Sequence, residues 1–371
     1  MTIDASGDVS IDGVSLRSLP KVSLHDHLDG AIRPATIIEL ARDAGVDAPA
    51  ADADGLVAWM LQQTSGGSLE SYLEVFRLTT DVTQTREALV RVAREYVEDL
   101  AADGVVYGEV RWAPQLHVAG GLSLEDAVDA VREGLEAGED AASARGHDIR
   151  VNQLLSAMRN QDDAVSVARL AVANRGEGVV GFDIAGPEAG YPASGHREAF
   201  DYLAENFFPT TVHAGEGDGV ESIRSALVDG RAMRLGHGVR LAEDLTIVDR
   251  DAEEVRVQFG DVARWVRDRE IPLELSPSSN VQTGAIAEWG DQIADHPFDL
   301  LYQLGFAVTV NTDNRTMSRT SLTRELALLV EAFGYDLEDI EAFQLNAAAA
   351  AFLSVEEREE LIEIIGEGFD V

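Results

Sequence analysis

The stretch TTVHAGEG, residues 210–217, joins a short β-branched run directly to a histidine and a glutamate. Three more stretches repeat this arrangement: VSLHDH at 22–27, MRLGHG at 233–238 and AVTVNTDN at 307–314. In each, reactive side chains stand at or just beyond the end of an apolar run typical of a buried parallel strand. Because the carboxyl ends of parallel strands share one edge, these side chains are predicted to meet there.

Short apolar runs of this kind recur along the chain, and segments with helical spacing lie between most of them. The eight runs are 22–27, 105–112, 149–157, 179–184, 210–213, 233–237, 272–275 and 307–311. Segments 87–100 and 124–137 carry the helical pattern, with Ser123 as an expected N-cap. This alternation predicts an α/β fold, a (β/α)8 TIM barrel. A doubly wound open sheet is the alternative, but it would separate the first and eighth strands, which both carry site residues.

The chain reads as one barrel domain, residues 1–371, with an N-terminal extension at 1–17. Segment 34–85 is longer than an ordinary barrel connection and predicts extra helices after the first strand. It contains four apolar residues spaced along one helix face: Leu69, Tyr72, Leu73 and Phe76. Two interpretations stay open for this stripe, a core contact or a helical lid over an apolar ligand.

Composition limits the classes of function. The 371 residues include no cysteine, which excludes disulfides, thiolate metal sites and a cysteine nucleophile. No segment is apolar and long enough for a signal or membrane span, so a cytoplasmic protein is expected. A net charge of −38 makes nucleic acids and anionic membranes poor partners. The acidic surface fits ordinary solvation and adaptation to high salt equally well.

Three histidines and one aspartate form a candidate metal site. His25 and His27 are two residues apart on a strand, so both side chains point to one face, the barrel interior. His213 ends the fifth strand and Asp313 the eighth. This set suits Zn²⁺ with an open position for water, and Fe²⁺ or Mn²⁺ are alternatives. The other histidines are interpreted as surface or local structure: His117, His147, His196 and His296.

Other hydrolytic motifs are missing from the sequence. There is no cysteine-based deaminase pattern, no His-Glu-x-x-His and no Gly-x-Ser-x-Gly, so a metal-activated water is the expected nucleophile. Glu216, between two glycines, fits an acid that protonates a ring nitrogen; the alternative is a helix-terminal glutamate. His237, also between glycines, fits a group that orients or deprotonates the water; the alternative is a structural histidine.

These residues belong to a wider resemblance. Over about residues 18–350 the chain resembles the adenosine deaminases of the amidohydrolase superfamily. The matching segments are LHDHLDGAI (24–32), VVYGEVRWAP (105–114), AMRNQ (157–161), VVGFDIAGPE (179–188), TVHAGEG (211–217), RLGHGV (234–239), LELSPSSN (273–280) and TVNTDN (309–314). The resemblance implies a zinc-dependent enzyme of purine salvage, with one Zn²⁺ per subunit. Its small-molecule partner would be a purine nucleoside, adenosine or 2′-deoxyadenosine, converted to the inosine product and ammonia.

The resemblance also implies roles for individual residues. Zinc would be bound by His25, His27, His213 and Asp313. Glu216 would protonate purine N1, and His237 would position the attacking hydroxide. Asp29 would accept a hydrogen bond from the ribose 5′-hydroxyl, and the backbone of Gly186 would contact purine N3. An apolar rim over the nucleoside would consist of Leu69, Tyr72, Leu73, Phe76 and Met158.

The chain departs from the family pattern where Thr-Asp-Asp-Pro becomes Thr-Asp-Asn-Arg, at residues 312–315. The second aspartate of the family is thought to contact purine N7, which only accepts hydrogen bonds. The Asn314 amide is a donor without needing an added proton, so the contact is preserved. Adenine deaminase, a deaminase of another purine nucleoside and a catalytically silent binding barrel are the alternative functions. Asp29 favours a nucleoside, because adenine deaminases generally carry glutamate there.

Overall fold

The computed structural model describes residues 2–3, 9–64, 75–250 and 255–370. Within these ranges, eight parallel strands form the centre of the fold. They are β1 (Lys21–His27), β2 (Val105–Trp112), β3 (Arg150–Met158), β4 (Val179–Ala185), β5 (Thr211–Ala214), β6 (Arg234–His237), β7 (Leu273–Leu275) and β8 (Val308–Val310). Each overlaps one of the eight predicted runs, and no boundary differs by more than one residue.

The strands close into a barrel. Parallel pairing links β1 to β4 in order in one sheet and β5 to β8 in a second. Single bridges join the sheets, Phe182 with Thr210 at one seam and Asp26 with Asp313 at the other. At the second seam the His27 N–H donates to the Asp313 carbonyl at 2.7 Å. The barrel prediction is therefore confirmed and the open-sheet alternative is wrong, because β1 is hydrogen-bonded to the segment directly after β8.

Helices surround the barrel and follow the predicted alternation. They are α1 (Pro34–Ala44), α2 (Ala53–Thr64), α3 (Phe76–Asp81), α4 (Arg86–Ala102), α5 (Leu124–Ser143), α6 (Ala164–Ala173), α7 (Arg197–Glu205), α8 (Val220–Val228), α9 (Asp261–Asp268), α10 (Pro277–Gln282), α11 (Phe298–Gln303), α12 (Arg315–Ser318), α13 (Leu322–Phe333), α14 (Leu337–Ala350) and α15 (Val355–Phe369). Helix α5 begins as predicted, because the Ser123 hydroxyl accepts a hydrogen bond from the Asp126 N–H at 3.0 Å.

Three features lie outside the regular barrel pattern. Helices α1 to α3 are the expected extra helices after β1, whereas Leu69, Tyr72 and Leu73 lie outside the described residues. An antiparallel hairpin between β6 and β7, Leu245–Arg250 with Val255–Phe259, is absent from the predicted strands. Short antiparallel strands precede β1, at Thr2–Ile3, Val9–Ile11 and Val14–Ser15. In the described part of the chain, no helix is long and apolar enough to cross a membrane.

The barrel interior holds a layer of charges. Glu274 on β7 accepts hydrogen bonds from Arg111 at 2.7 Å and from Arg234 at 2.6 Å. Arg234 also binds Glu109 at 2.5 Å, and all four side chains are at most 1% exposed. Removing one member would leave a buried charge without compensation, which typically costs about 3–5 kcal/mol. The network therefore acts as a unit that fixes Glu274 beneath the strand ends.

Candidate active site

The carboxyl ends of β1, β5 and β8 bring the predicted metal ligands together. The Nε2 atoms of His27 and His213 are 3.2 Å apart. Asp313 Oδ1 lies 3.4 Å from Nε2 of His25 and 3.4 Å from Nε2 of His27. The rings of His25 and His213 are 4.6 Å apart, so all four residues face one point.

This geometry fits a metal ion. Ligand atoms about 2.0–2.1 Å from a shared zinc ion lie about 3–3.5 Å from one another, close to the separations observed here. His25 Nε2 is buried and has no hydrogen-bond partner among the described residues. Burial lowers the pKa of His213 and lowers that of His27 well below its ordinary value. Both imidazoles are thus neutral, with lone pairs suited to a cation.

Carboxylates behind the histidines orient the rings. His25 Nδ1 lies 2.9 Å from Glu274 Oε2, and His213 Nδ1 lies 3.0 Å from Asp183 Oδ1. Each carboxylate accepts the Nδ1 hydrogen, which leaves Nε2 of the same ring free to bind a metal. Sequence reasoning assigned no role to Asp183 or Glu274. The feature of the sequence that could have identified each of them is a charged residue inside an otherwise apolar strand.

A second set of four residues also brings possible ligand atoms together. His25, His213, His237 and Asp313 each offer an atom within 4.8 Å of the others. His237 Nε2 also lies 3.4 Å from Glu216 Oε2. Two arrangements are thus compatible with the positions alone, one with His27 and one with His237 as the third imidazole.

Two site residues adopt strained backbone conformations. His237 has φ +62° and Asp313 has φ +57°, in the left-handed region that costs a residue with a side chain about 1–3 kcal/mol. Neighbouring contacts hold both conformations: the Gly238 N–H donates to Ala214 O at 2.9 Å, and the Asp313 N–H donates to His25 O at 2.9 Å. Such strain concentrates at functional sites, where it aims a side chain away from the strand direction.

The loop that carries Glu216 is anchored by Glu188. The Glu188 carboxylate accepts the backbone N–H groups of Gly215, Glu216 and Gly217 at 2.7, 3.0 and 2.7 Å. Burial, with the nearby charges of Asp313 and Glu188, raises the pKa of Glu216 well above its ordinary value. Its Oε1 has no hydrogen-bond partner in the described part of the structure. The surroundings of Glu216 therefore favour its protonated form, on a loop that Glu188 holds in place.

The site opens into a cavity of about 420 Å³, a volume within the usual range for small-molecule sites. The predicted substrate residues that line it are Asp29, Phe76, Met158, Gly186 and Asn314. The Phe76 ring lies 6.3 Å from the His27 ring. Burial raises the pKa of Asp29 to about 7, and its Oδ1 is without a hydrogen-bond partner among the described residues. Asp29 thus has an unused acceptor or donor at the cavity wall.

The segment after β8 is pinned to β1. A Cβ atom on residue 30 would lie 1.9 Å from Asn314 Oδ1, so glycine is required at Gly30. Arg315 Nε donates to Asp26 Oδ2 at 2.7 Å, and its guanidinium lies over the Tyr96 ring. Asp26 stands between two predicted ligands and Arg315 follows Asn314. Arg315 therefore ties the two site segments together.

The remaining histidines lie outside the cavity lining. His147 is exposed, and His196 is partly buried with Nε2 2.9 Å from Arg159 O. His117 and His296 are 1% and 3% exposed, so they belong to the local structure and not to the surface. His117 Nδ1 lies 2.7 Å from the Thr83 hydroxyl. None of them takes part in the two possible metal sets.

A parallel barrel with a His/Asp cluster at the carboxyl ends of its strands defines an amidohydrolase-type enzyme. A Zn-containing amidohydrolase from Burkholderia ambifaria has this fold, with a TM-score of 0.82 and 26% identity over 96% of this chain and 92% of its own. The chain belongs to the adenosine deaminase family, whose sequence profile matches residues 20–367.

Individual relatives agree with this membership. The chain is 52% identical to adenosine deaminase 1 of Streptomyces coelicolor over 95% of this chain and 88% of the relative. It is 49% identical to the adenosine deaminase of Mycobacteroides abscessus over 97% and 98%. Among solved structures, the N6-mAMP deaminase of Arabidopsis has a TM-score of 0.79 and 30% identity, over 95% of this chain and 99% of its own. Family and enzyme class are thereby confirmed.

Proposed function

We propose that this protein is an adenosine deaminase that hydrolyses adenosine, and 2′-deoxyadenosine, to the inosine product and ammonia. The observation that carries the proposal is the cavity lined by His213, Glu216, His237 and Asp313, which combines possible metal ligands with a carboxyl group whose pKa is raised by burial. Relatives named adenosine deaminase, about 50% identical over nearly the whole chain, support the choice of substrate. Salvage of purines is the corresponding cellular role.

One Zn²⁺ per subunit is proposed as the cofactor, held by His25, His27, His213 and Asp313. The spacing of their donor atoms and the carboxylates behind two of the rings support this set. When bound, zinc would supply a nucleophile by lowering the pKa of a water from about 15.7 to about 7. The protein's part is to hold three imidazoles and one carboxylate in a fixed, buried geometry.

Proton transfer to the purine is assigned to Glu216, and orientation of the attacking oxygen is assigned to His237. Glu216 donates its proton to purine N1 as C6 is attacked. Protonation lets N1 take up the electron pair of the C6–N1 double bond. The Glu188 anchor keeps that carboxyl group at the cavity wall. His237 orients the attacking oxygen. The amino group then takes up the proton of the added hydroxyl group and leaves as ammonia, and the proton released when water formed the hydroxide returns to Glu216.

Segment 34–85 is proposed to act as the lid over the nucleoside. Phe76, at the start of α3, lines the cavity beside the metal-site histidines, and Met158 lines it from the end of β3. An apolar cover of this kind excludes water and strengthens the electrostatic interactions within. Residues 1–371 are proposed as one domain, with 1–17 as its N-terminal extension.

The proposed function is tested by ammonia release from a panel of adenosine, 2′-deoxyadenosine, adenine, AMP and N6-methyl-AMP, with zinc content measured on the same sample. Adenosine and deoxyadenosine are expected to give the highest kcat/KM. A clear preference for adenine would make this an adenine deaminase. Preference for a nucleotide would point to the activity of the Arabidopsis relative. No turnover of any compound by zinc-loaded protein would favour a silent barrel.

Asp29 is expected to select nucleosides through the 5′-hydroxyl. Losing a hydrogen bond to a charged group typically costs about 1.5–3 kcal/mol. Asp29→Ala should therefore lower kcat/KM for adenosine by about 10- to 100-fold. 5′-Deoxyadenosine, which lacks the hydroxyl, is the internal control and should lose much less. Equal losses on the two substrates would show that Asp29 has another role.

Asn314 is expected to donate a hydrogen bond to purine N7. In 7-deazaadenosine the acceptor is a C–H group, so the amide donor would be buried without a partner at a cost of about 1–3 kcal/mol. The native enzyme should turn over this analogue poorly, and Asn314→Ala should narrow its gap to adenosine. The measurement is the ratio of kcat/KM for the two compounds in each protein. A ratio near one in the native enzyme would contradict the N7 contact.

A further inference from the structure

A buried hydrogen-bond chain runs from His237 through Asn280 to His296. Asn280 Nδ2 lies 2.9 Å from His237 Nδ1, and Asn280 Oδ1 lies 3.1 Å from His296 Nε2. The three side chains are 1%, 0% and 3% exposed. Asn280 does not line the cavity. Neither Asn280 nor His296 has a role in the proposed function.

Backbone donors fix the direction of this chain. The Phe298 N–H donates to His296 Nδ1 at 3.0 Å, so that nitrogen is an acceptor. Burial lowers the pKa of His296 to about 3, so the ring is neutral and its hydrogen is on Nε2. His296 therefore donates to Asn280. The Ser276 N–H donates to the same Asn280 atom at 3.3 Å, and two donors identify that atom as the amide oxygen.

The direction of these hydrogen bonds also determines which nitrogen of His237 carries a hydrogen. With its oxygen occupied, Asn280 presents its NH₂ group to His237, whose Nδ1 must accept. A ring nitrogen that accepts a hydrogen bond carries no hydrogen, so the His237 imidazole is neutral. A neutral imidazole has one N–H, which is therefore on Nε2, 3.4 Å from Glu216 Oε2 at the cavity wall.

We propose that Asn280, oriented by His296 and Ser276, is a positioning residue that locks His237 as its Nε2–H tautomer and makes it a hydrogen-bond donor to the attacking oxygen. The inference rests on the proposed function and deepens it. A nitrogen that carries a hydrogen offers no lone pair, so His237 neither binds the metal nor takes a proton through Nε2. His27 then completes the ligand set, and Glu216 keeps its proton for the purine.

The tautomer is measured directly by ¹⁵N NMR of the histidine rings in the zinc-loaded protein. Ring nitrogens with and without a hydrogen resonate far apart, and the chain has only eight histidines. The His237 signals are assigned as those missing from His237→Gln. The expected pattern is a protonated Nε2 and an unprotonated Nδ1. A His237 ring with its hydrogen on Nδ1 would overturn the proposal without any variant of Asn280.

Asn280→Asp replaces the amide NH₂ group, a hydrogen-bond donor, by a carboxylate oxygen, an acceptor, and keeps the side-chain shape. A carboxylate still accepts from His296 and Ser276, but it can only accept from His237, which moves the ring hydrogen to Nδ1. Loss of one preorganised donor typically lowers kcat about 10²- to 10³-fold. We expect a loss of that size, with little change in KM, about one equivalent of zinc retained and the NMR pattern reversed. A kcat equal to that of wild type in this variant would refute the proposed role of Asn280 in fixing the His237 tautomer.

Two further variants separate positioning from general structure. Asn174→Asp makes the same substitution at the half-buried C-terminal end of α6 and should leave kcat within about twofold of wild type. His296→Phe removes one donor to Asn280, but the Ser276 N–H still orients the amide, so its loss in kcat should be smaller than that of Asn280→Asp. The NMR result needs no substrate. An inactive wild type would therefore reject the proposed function, whereas an active enzyme with Nδ1–H would reject this inference alone.

Discussion

Chelator-stripped protein is expected to lose all deamination of adenosine and to regain it with one equivalent of zinc. His213→Ala should bind much less than one equivalent of zinc and should stay inactive when zinc is added. The reason is geometric: His213 Nε2 lies 3.2 Å from His27 Nε2, and its removal would take away one of the four residues that would hold the zinc. Without the cation, nothing lowers the pKa of the attacking water to the working range.

The zinc prediction has a matched control. His147 is an exposed histidine outside the cavity, so His147→Ala should keep full zinc content and full activity. Metal content by elemental analysis and ammonia release are measured on the same preparations. Full turnover by protein free of metal would reject the metal-dependent mechanism, because no other activated nucleophile was found in the sequence.

Glu216→Gln is expected to lower kcat about 10²- to 10⁴-fold, the usual contribution of a general acid. Glutamine keeps the size of the side chain and leaves the Glu188 anchor on the backbone intact, but it has no proton to transfer. Substrate affinity should change much less than kcat. The measurements are steady-state kcat and KM for adenosine, with zinc content as a check on the metal site.

Glu221→Gln provides the comparison for the acid. Glu221 lies on α8, five residues beyond Glu216, and its side chain is 84% exposed. This variant should have the kcat of wild type. That result would show that the loss of kcat in Glu216→Gln does not come from removing one negative charge near the site. If Glu216→Gln retained activity within threefold of wild type, a difference of about 0.7 kcal/mol, Glu216 would not be the acid.

The strands were predictable to within one residue because their signal is local. A strand buried on both faces is a short continuous apolar run, and a run of this kind is read without knowing its neighbours. The hairpin at 245–259 was missed for the opposite reason. Its described residues are largely exposed, with Ile247 and Val248 at 50% and 55%, so no buried run marks it.

The meeting of the proposed metal ligands and Glu216 at one place was also predictable, because strand ends in a parallel barrel meet at one face. Their partners were not. His25 contacts Glu274 across 249 positions of sequence, and Arg315 contacts Asp26 across 289. A charged residue in a strand shows that it needs a partner, but several partners of suitable charge exist along the chain. Only the closed barrel decides which one it contacts.

The sequence by itself determined the barrel, the four strand-end segments and the types of donor at the site, since these depend on local patterns and residue chemistry. The tertiary structure decided how those donors are used. In the sequence, His237 is a histidine between two glycines that fits a group orienting or deprotonating the water, or a structural histidine. The role proposed for it follows from a hydrogen on Nε2, a position inferred from the contacts of Asn280, His296 and the Phe298 backbone. A hydrogen-bond direction depends on every donor in the chain of contacts, and that chain exists only once distant segments are packed together.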